Sequence, residues 1–275
     1  MVRSAVTICT VPEAAAGPFV FHGDVAAACA TAARLGFDAV EIFAPDAAAV
    51  KALNLAKLLG DNGLSLAALG TGAGFLQRQL TLTSPSAAVR AEAADFIRAM
   101  LHEAAELETQ VIVGSMQGRW SPEVPHRIAV GFLAIALEKL GEEAESLGVT
   151  LLYEPLNRYE TNLFTTLEPT AAIVAALGRP AVRILADLFH MNIEEHDIAA
   201  ALRMAGSQVG HVHFADSNRR AVGFGHTDFA PIAAALHDIG YDGYVSAEVL
   251  PWPDAEAAAA QTMTAFRQHF PRPVS

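Results

Sequence analysis

The sequence predicts an α/β protein, a single-domain (β/α)8 TIM barrel that spans residues 1–275. Short apolar runs alternate with helical patterns from one end of the chain to the other, which gives eight strand–helix units. The length of 275 residues matches the roughly 250 residues of one such barrel. No glycine-rich phosphate loop follows the first strand, although an open doubly wound sheet would usually have one. Since crossovers between parallel strands are right-handed, a closed barrel is the expected outcome.

Each predicted strand is a short, β-rich apolar run bounded by turn residues, as is typical of buried parallel strands. The predicted strands are Ser4–Val11, Ala39–Phe43, Leu64–Leu69, Gln110–Gly114, Thr150–Glu154, Val182–Asp187, Val209–Phe214 and Tyr244–Val249. A helical pattern follows each strand, and Gly36 is a stop signal for the first of these helices. The predicted helices are Asp24–Leu35, Pro45–Leu59, Ala87–Leu107, Pro125–Leu147, Thr166–Leu177, Asp197–Ala205, Phe229–Ile239 and Asp254–His269. Residues 70–86 are predicted to form a long, glycine-containing connection.

The composition excludes several classes of partner. A net charge of −12 argues against nucleic acid, because phosphates require clusters of Lys and Arg. There is no signal-peptide pattern, no basic helix suited to a membrane surface and no apolar run long enough to span a bilayer. Cys9 and Cys29 give no disulfide framework and are interpreted as buried, reduced thiols. We therefore expect a cytoplasmic protein without a nucleic-acid or membrane partner. Because alanine-rich helices can pack against each other, assembly into a homo-oligomer is an alternative to a monomer.

Metal-binding side chains end four consecutive predicted strands. Glu154, Asp187, His213 and Glu248 end the fifth to the eighth strand. The C-terminal ends of barrel strands point into one pocket, so these side chains should converge, and anions packed so closely require a cation. Three carboxylates and one imidazole suit Mn²⁺, Co²⁺ or Mg²⁺ better than structural zinc. The alternative is four unrelated polar residues, but their common position on one rim favours a metal site.

Four further polar residues lie beside the same strand ends. His211 precedes the predicted histidine ligand by two residues and shares its face, and we interpret it as a core histidine, with support of the metal site as the alternative. His190 follows the predicted aspartate ligand by three residues, in a loop. Arg219 has a planar guanidinium whose forked N–H donors suit substrate oxygens. Glu160 lies in the loop after the fifth strand. Each of these signals is weak by itself.

Three segments of the C-terminal half resemble the ketose 3-epimerases, which include D-tagatose and D-psicose 3-epimerases, within the xylose-isomerase-like barrel superfamily. These segments are Glu154–Asn162, Asp187–Glu195 and His211–Arg219, and the run Phe-His-Met-Asn-Ile-Glu-Glu in the second is highly specific to that group. Other segments resemble one branch, the 5-keto-L-gluconate epimerases. They are Phe21–Asp24, Leu69–Gly72, Leu80–Pro85, Gly225–Phe229 and Tyr244–Glu248. The resemblance covers nearly the whole chain.

The resemblance implies a metal, most simply Mn²⁺, held by Glu154, Asp187, His213 and Glu248. It also implies substrate contacts from the three remaining matching residues, which are Glu160, His190 and Arg219. The chain departs from the family at Leu188, where the family has Thr, and at Ala221-Val222-Gly223, where it has Pro-Gly. The first strand also lacks an aromatic residue that lines the pocket in psicose-type enzymes. These departures concern the sugar rather than the metal.

The predicted function is epimerisation of a non-phosphorylated ketose or keto-sugar acid through a metal-stabilised enediolate. Glu154 and Glu248 would be the catalytic pair, one removing a proton and the other returning it on the opposite face. An aldose–ketose isomerase, or an inosose isomerase or dehydratase, could use the same residues. A nuclease of the endonuclease IV type would need more ligands and a basic face, and a barrel that only binds sugar would not need two acid–base glutamates.

Overall fold

The structure, a computed structural model, describes residues 1–271 and is built around one parallel β-sheet. Its strands are β1 (Arg3–Cys9), β2 (Phe21–His22), β3 (Ala39–Phe43), β4 (Ser65–Gly70), β5 (Gln110–Val113), β6 (Thr150–Tyr153), β7 (Val182–Asp187), β8 (Val209–His213) and β9 (Tyr244–Ala247). The order is β2-β1-β3-β4-β5-β6-β7-β8-β9, and β1 also pairs with β9. Eight strands therefore close into a barrel while the short β2 pairs with β1, which confirms the predicted fold class.

The helices within residues 1–271 mostly follow the strands, as predicted. They are α1 (Val25–Leu35), α2 (Ala47–Ala52), α3 (Leu55–Asn62), α4 (Ala73–Arg78), α5 (Ala87–Glu106), α6 (His126–Leu147), α7 (Leu167–Leu177), α8 (Leu188–Glu194), α9 (Ile198–Ala205), α10 (Phe229–Asp238) and α11 (Ala255–His269). Gly36 ends α1 in the left-handed conformation with φ of 88°, which glycine adopts without steric strain.

Three predictions about helices were wrong in detail. The predicted helix Pro45–Leu59 is two helices, because Asn54 between them has a left-handed backbone with φ of 48°, a conformation that asparagine tolerates. The connection of residues 70–86 contains α4. The segment after β7, predicted as a loop, is the short helix α8, whose first N–H groups are capped by the side chain of Asp187.

Apolar side chains lie beneath the strand ends that carry the predicted site. Leu152 and Leu185 precede Glu154 and Asp187 by two residues, so each pair shares a face of its strand. The two leucines pack with Ala68 and Ile112 in a small cluster of buried residues. Glu154 and Asp187 therefore stand on an apolar floor, which limits access of water to them from below.

Cys9 and Cys29 are free and buried, which confirms the prediction of reduced thiols. No helix of residues 1–271 has the length and apolar character needed to cross a membrane. A cytoplasmic location and assembly into a homo-oligomer stay predictions.

Candidate active site

Three carboxylates from neighbouring strand ends surround one imidazole nitrogen, the Nδ1 of His213. His213 Nδ1 lies 3.1 Å from an Asp187 carboxylate oxygen, 3.3 Å from one of Glu248 and 3.5 Å from one of Glu154. One potential ligand atom from each residue lies within 4.8 Å of the others. We call Glu154, Asp187, His213 and Glu248 the four-residue cluster. The structure thus brings together all four residues that the sequence assigned to a metal.

The charges of the cluster are poorly compensated by the protein alone. Burial raises the pKa of Glu154 above its usual range, and the charge of Glu248 adds to that effect against the opposing influence of His213. Burial would also raise the pKa of Asp187, but the Arg219 guanidinium together with His190 and His213 outweighs burial and holds that pKa well below the usual range. Three carboxylates beside one guanidinium leave two negative charges when the imidazole is neutral. The donor set therefore fits a divalent cation with oxygen and nitrogen ligands.

Both oxygens of Asp187 are used, each for a different purpose. Oδ1 accepts hydrogen bonds from the backbone N–H groups of Phe189 and His190 at 2.8 and 3.2 Å, which caps α8. Oδ2 faces His213 and Arg219 within the cluster. Because the cap fixes the carboxylate plane, Oδ2 is held towards the other three residues of the cluster.

His190 lies on the first turn of α8. A hydrogen bond with Asn157 determines which of its two ring nitrogens carries the proton. The Asn157 amide nitrogen donates to His190 Nδ1 at 2.7 Å and to Glu160 at 2.9 Å, and the amide oxygen accepts the N–H of Tyr159. An amide nitrogen can only donate, so His190 Nδ1 accepts and Nε2 carries the proton. Nε2 lies 3.9 Å from carboxylate oxygens of both Glu154 and Asp187. His190 can therefore donate a hydrogen bond to a ligand beside the cluster.

Arg219 is buried beside the cluster in a strained backbone conformation. Its guanidinium pairs with Asp187 and Glu248, and its Cζ lies 4.9 Å from the centre of the Phe189 ring. Its φ of 59° is left-handed, which costs about 1–3 kcal/mol for a residue other than glycine. Its backbone N–H bonds to the Asp216 carbonyl and its carbonyl accepts from Leu250, so surrounding hydrogen bonds maintain this conformation.

Asp216 organises the loop that carries Arg219. One carboxylate oxygen accepts the backbone N–H groups of Ser217 and Thr227 at 2.7 and 3.1 Å. The other accepts those of Gly223 and Gly225, both at 2.9 Å. A single buried carboxylate thus holds the loop of residues 217–227 closed, in the segment where the sequence departs from the family pattern.

These side chains open onto a pocket of about 310 Å³, a size suited to a small sugar. Its polar lining comes from Ser115, Glu154, Glu160, His190, Arg219 and Glu248, and its apolar lining from Pro18, Phe19, Leu156, Phe189 and Leu250. Gly114 leaves room for Glu154, because a Cβ at this position would lie 2.4 Å from Glu154 Oε2. The three predicted substrate-contact residues, Glu160, His190 and Arg219, all line this pocket.

The sequence interpretation missed Glu41, Asn157 and Asp216. Glu41 lies in the middle of β3 and joins His211 to His213 by hydrogen bonds of 2.8 and 3.1 Å. The interpretation of His211 as a satisfied core histidine was therefore incomplete. Its Nδ1 has no hydrogen-bond partner among residues 1–271, and its Nε2 bonds Glu41, which also contacts His213. A glutamate within an apolar strand was the available signal, because a buried carboxylate requires a partner.

Comparisons with known proteins agree with this geometry. Residues 29–269 match the model of the family described as xylose isomerase-like TIM barrel. The chain is 35% identical over 223 residues to the D-psicose 3-epimerase of Agrobacterium fabrum, covering 78% of this chain and 76% of the relative. It is 34% identical over 215 residues to the L-ribulose 3-epimerase of Mesorhizobium japonicum, covering 78% and 71%.

A solved structure of D-allulose 3-epimerase from Methylomonas sp., in complex with D-allulose, superposes with a TM-score of 0.84. It is 26% identical to this chain, and the match covers 98% of this chain and 97% of that one. The predicted class of enzyme, a carbohydrate epimerase or isomerase, is therefore confirmed, and the chain belongs to the xylose isomerase-like TIM barrel family.

Proposed function

We propose that the protein is a divalent-metal-dependent 3-epimerase of a free, uncharged ketose. The observation that carries this proposal is that Glu154 and Glu248, directly after β6 and β9, both reach Nδ1 of His213, with Asp187 and His213 on the two strands between them. Both carboxylates line the same pocket as His190 and Arg219. The epimerases of D-psicose, L-ribulose and D-allulose to which the chain is similar support the choice of a ketose.

Glu154, Asp187, His213 and Glu248 would hold the metal, and their donor set favours Mn²⁺, with Co²⁺ and Mg²⁺ as alternatives. When bound, such a cation stabilises the negative charge that develops on substrate oxygens as a neighbouring C–H proton is removed.

The chain's own residues would divide the proton transfer between two carboxylates. Glu154 would take the proton from C3 in one direction while Glu248 returns one on the opposite face, and the roles would exchange in reverse. His190 would donate its Nε2 proton to a substrate oxygen, since Asn157 occupies the other ring nitrogen. Arg219 would direct its guanidinium at substrate oxygens and Glu160 would accept from a hydroxyl at the pocket mouth.

The charge of the pocket favours an uncharged sugar over a keto-sugar acid or a sugar phosphate. Among the described residues that line it, Arg219 is the one with a permanent positive charge, and Asp187 and Glu248 already neutralise it. His190 contributes an N–H donor through Nε2, since Asn157 bonds Nδ1. An anionic substrate would therefore meet Glu154, Glu160 and Glu248 without a free cation of the protein to pair with.

A substrate panel with product identification tests the proposal. Protein stripped by a chelator should be inactive, and Mn²⁺ should restore interconversion of ketoses that differ at C3. In deuterated water the product should carry deuterium at C3, since one carboxylate removes the proton and another returns a solvent-derived one. The panel includes aldoses, 5-keto-gluconate and ketose phosphates at matched concentration.

Each result has a defined meaning. Label at C2 with an aldose product would replace the proposal by aldose–ketose isomerisation on the same residues. Preferred turnover of 5-keto-gluconate would support the branch predicted from the sequence and contradict the uncharged substrate. Full activity of metal-free protein would contradict the metal-dependent mechanism.

A further inference from the structure

Glu41 is a buried carboxylate below the four-residue cluster, with an imidazole on each of its two oxygens. Oε1 lies 3.1 Å from His213 Nε2, and Oε2 lies 2.8 Å from His211 Nε2. Glu41 is 4% exposed, and both histidines are buried. A carboxylate buried this deeply requires specific partners, because burial of an ion is unfavourable unless they compensate for the lost hydration.

The two nitrogens of His213 face different groups. Nδ1 lies among Asp187, Glu154 and Glu248, whereas Nε2, within the part of the chain that the structure describes, has Glu41 as its one ion-pair partner. An imidazole that binds a metal through Nδ1 has a bare lone pair there, so its proton resides on Nε2. Glu41 is an acceptor at hydrogen-bond distance from that proton, and a carboxylate on the far nitrogen also makes the imidazole a stronger ligand.

We propose that Glu41 is a positioning residue that holds His213 in the Nε2–H tautomer, with Nδ1 directed at the metal, and that His211 orients Glu41. This inference rests on the metal site of the proposed function. His211 Nε2 donates to Glu41 and its Nδ1 has no hydrogen-bond partner in the described structure. His211 therefore directs its one side-chain hydrogen bond of the described structure to Glu41, as expected of a residue that orients this carboxylate.

The register of the barrel provides a matched control. Thr7 on β1 pairs with Glu41 on β3, so the two residues lie at the same level of the barrel. Thr7 is buried, and its hydroxyl bonds the Ala247 carbonyl and the Val20 N–H rather than a histidine. Thr7→Val therefore removes buried hydrogen bonds at the same level without changing the partners of His213.

The test is Mn²⁺ affinity, measured by titration calorimetry on chelator-stripped protein and checked by electron paramagnetic resonance. Glu41→Gln keeps the size of the side chain but removes its charge and one acceptor, so we expect affinity to fall by roughly 10- to 100-fold. Thr7→Val should lower thermal stability and leave Mn²⁺ affinity within about twofold of wild type. Equal affinity of wild type and Glu41→Gln overturns the proposal, as does an equal loss in Thr7→Val.

A second measurement needs no variant. Long-range ¹H–¹⁵N correlation spectra of the Mg²⁺-loaded wild type should show His213 with its proton on Nε2, and the opposite tautomer overturns the proposal. Two Mn²⁺ ions per wild-type chain, with one lost in Glu41→Gln, would also overturn it, because Glu41, His211 and His213 would then be ligands of a second ion. Failure of the wild type to bind any divalent metal would instead contradict the proposed function.

Discussion

Replacing Asp216 with asparagine is expected to destabilise the loop that carries Arg219. The carboxylate accepts four backbone N–H groups, two on each oxygen. Asparagine keeps the shape but turns one oxygen into a donor, so either orientation leaves two N–H groups without an acceptor. Hydrogen bonds to charged groups contribute about 1.5–3 kcal/mol each. We take the low end because Gly223 and Gly225 are exposed and water can replace part of the loss, which gives about 3 kcal/mol.

The pH dependence of this loss follows from the pKa of Asp216. Burial works to raise it, but the four N–H groups outweigh burial and hold the pKa below its usual value. A depressed folded-state pKa contributes stability that is present above the unfolded value of about 3.9 and is lost as the pH falls through the folded value. The stability difference between wild type and variant should therefore be constant from pH 5 to 8 and shrink below about pH 4.

Urea unfolding of the metal-free proteins across this pH range measures the difference, and thermal melts at neutral pH should show a decrease in Tm of roughly 6–12 °C. Asp228→Asn is the matched control, because exposed Asp228 caps α10 through one backbone N–H and asparagine caps helices equally well. A difference below 1 kcal/mol, or one that is unchanged at pH 3, would refute the assigned role of Asp216.

Three further predictions concern the pocket and are measured with the ketose that the substrate panel identifies. Glu154→Gln and Glu248→Gln should each lower kcat by at least about 100-fold while Mn²⁺ still binds, though more weakly, and normal turnover in both would end the two-carboxylate mechanism. Arg219→Ala should raise KM and leave Mn²⁺ bound, so loss of the metal would assign Arg219 a different role. Asn157→Asp replaces the donor to His190 with an acceptor and moves the ring proton to Nδ1, so kcat/KM should fall at least about tenfold. An unchanged pH profile and unchanged kcat/KM would show that the tautomer of His190 is unimportant.

The barrel strands were predictable because buried parallel strands are short apolar runs with turn residues on both sides. Ala39–Phe43 and Val182–Asp187 coincide with β3 and β7. The helix break at Asn54 was hidden, because alanine and leucine continue the helical pattern on both sides of it. Helix α8 was hidden for a different reason. Its cap is Asp187, which the sequence already assigned to the metal, and the two contacts of this carboxylate use separate oxygens, Oδ1 for the cap and Oδ2 for His213.

The four-residue cluster was predictable because a barrel places the C-terminal ends of its strands around one pocket. No comparable rule predicts the partners of polar residues in the middle of a strand or inside a loop. Glu41 lies inside β3, and its partner His211 comes 170 positions later, so nothing local to either residue relates them. Asn157 and Asp216 act through backbone and ring contacts inside loops, where the sequence gives the residue types but not the conformation.

The buried carboxylates at this end of the barrel oppose folding when no metal compensates their charge. Four carboxylates lie close together at one end of the barrel interior, those of Glu41, Glu154, Asp187 and Glu248. They are faced by Arg219 and by three histidines, His190, His211 and His213. The apolar floor that includes Leu152 and Leu185 excludes water and so makes both the repulsion and any metal interaction stronger. A ligand that binds only the folded state adds RT ln(1 + [L]/Kd) to stability, so a divalent metal in this site would offset the repulsion. In the metal-loaded protein, resistance to unfolding should therefore fall together with metal affinity in Glu41→Gln, whereas in Thr7→Val stability alone should fall.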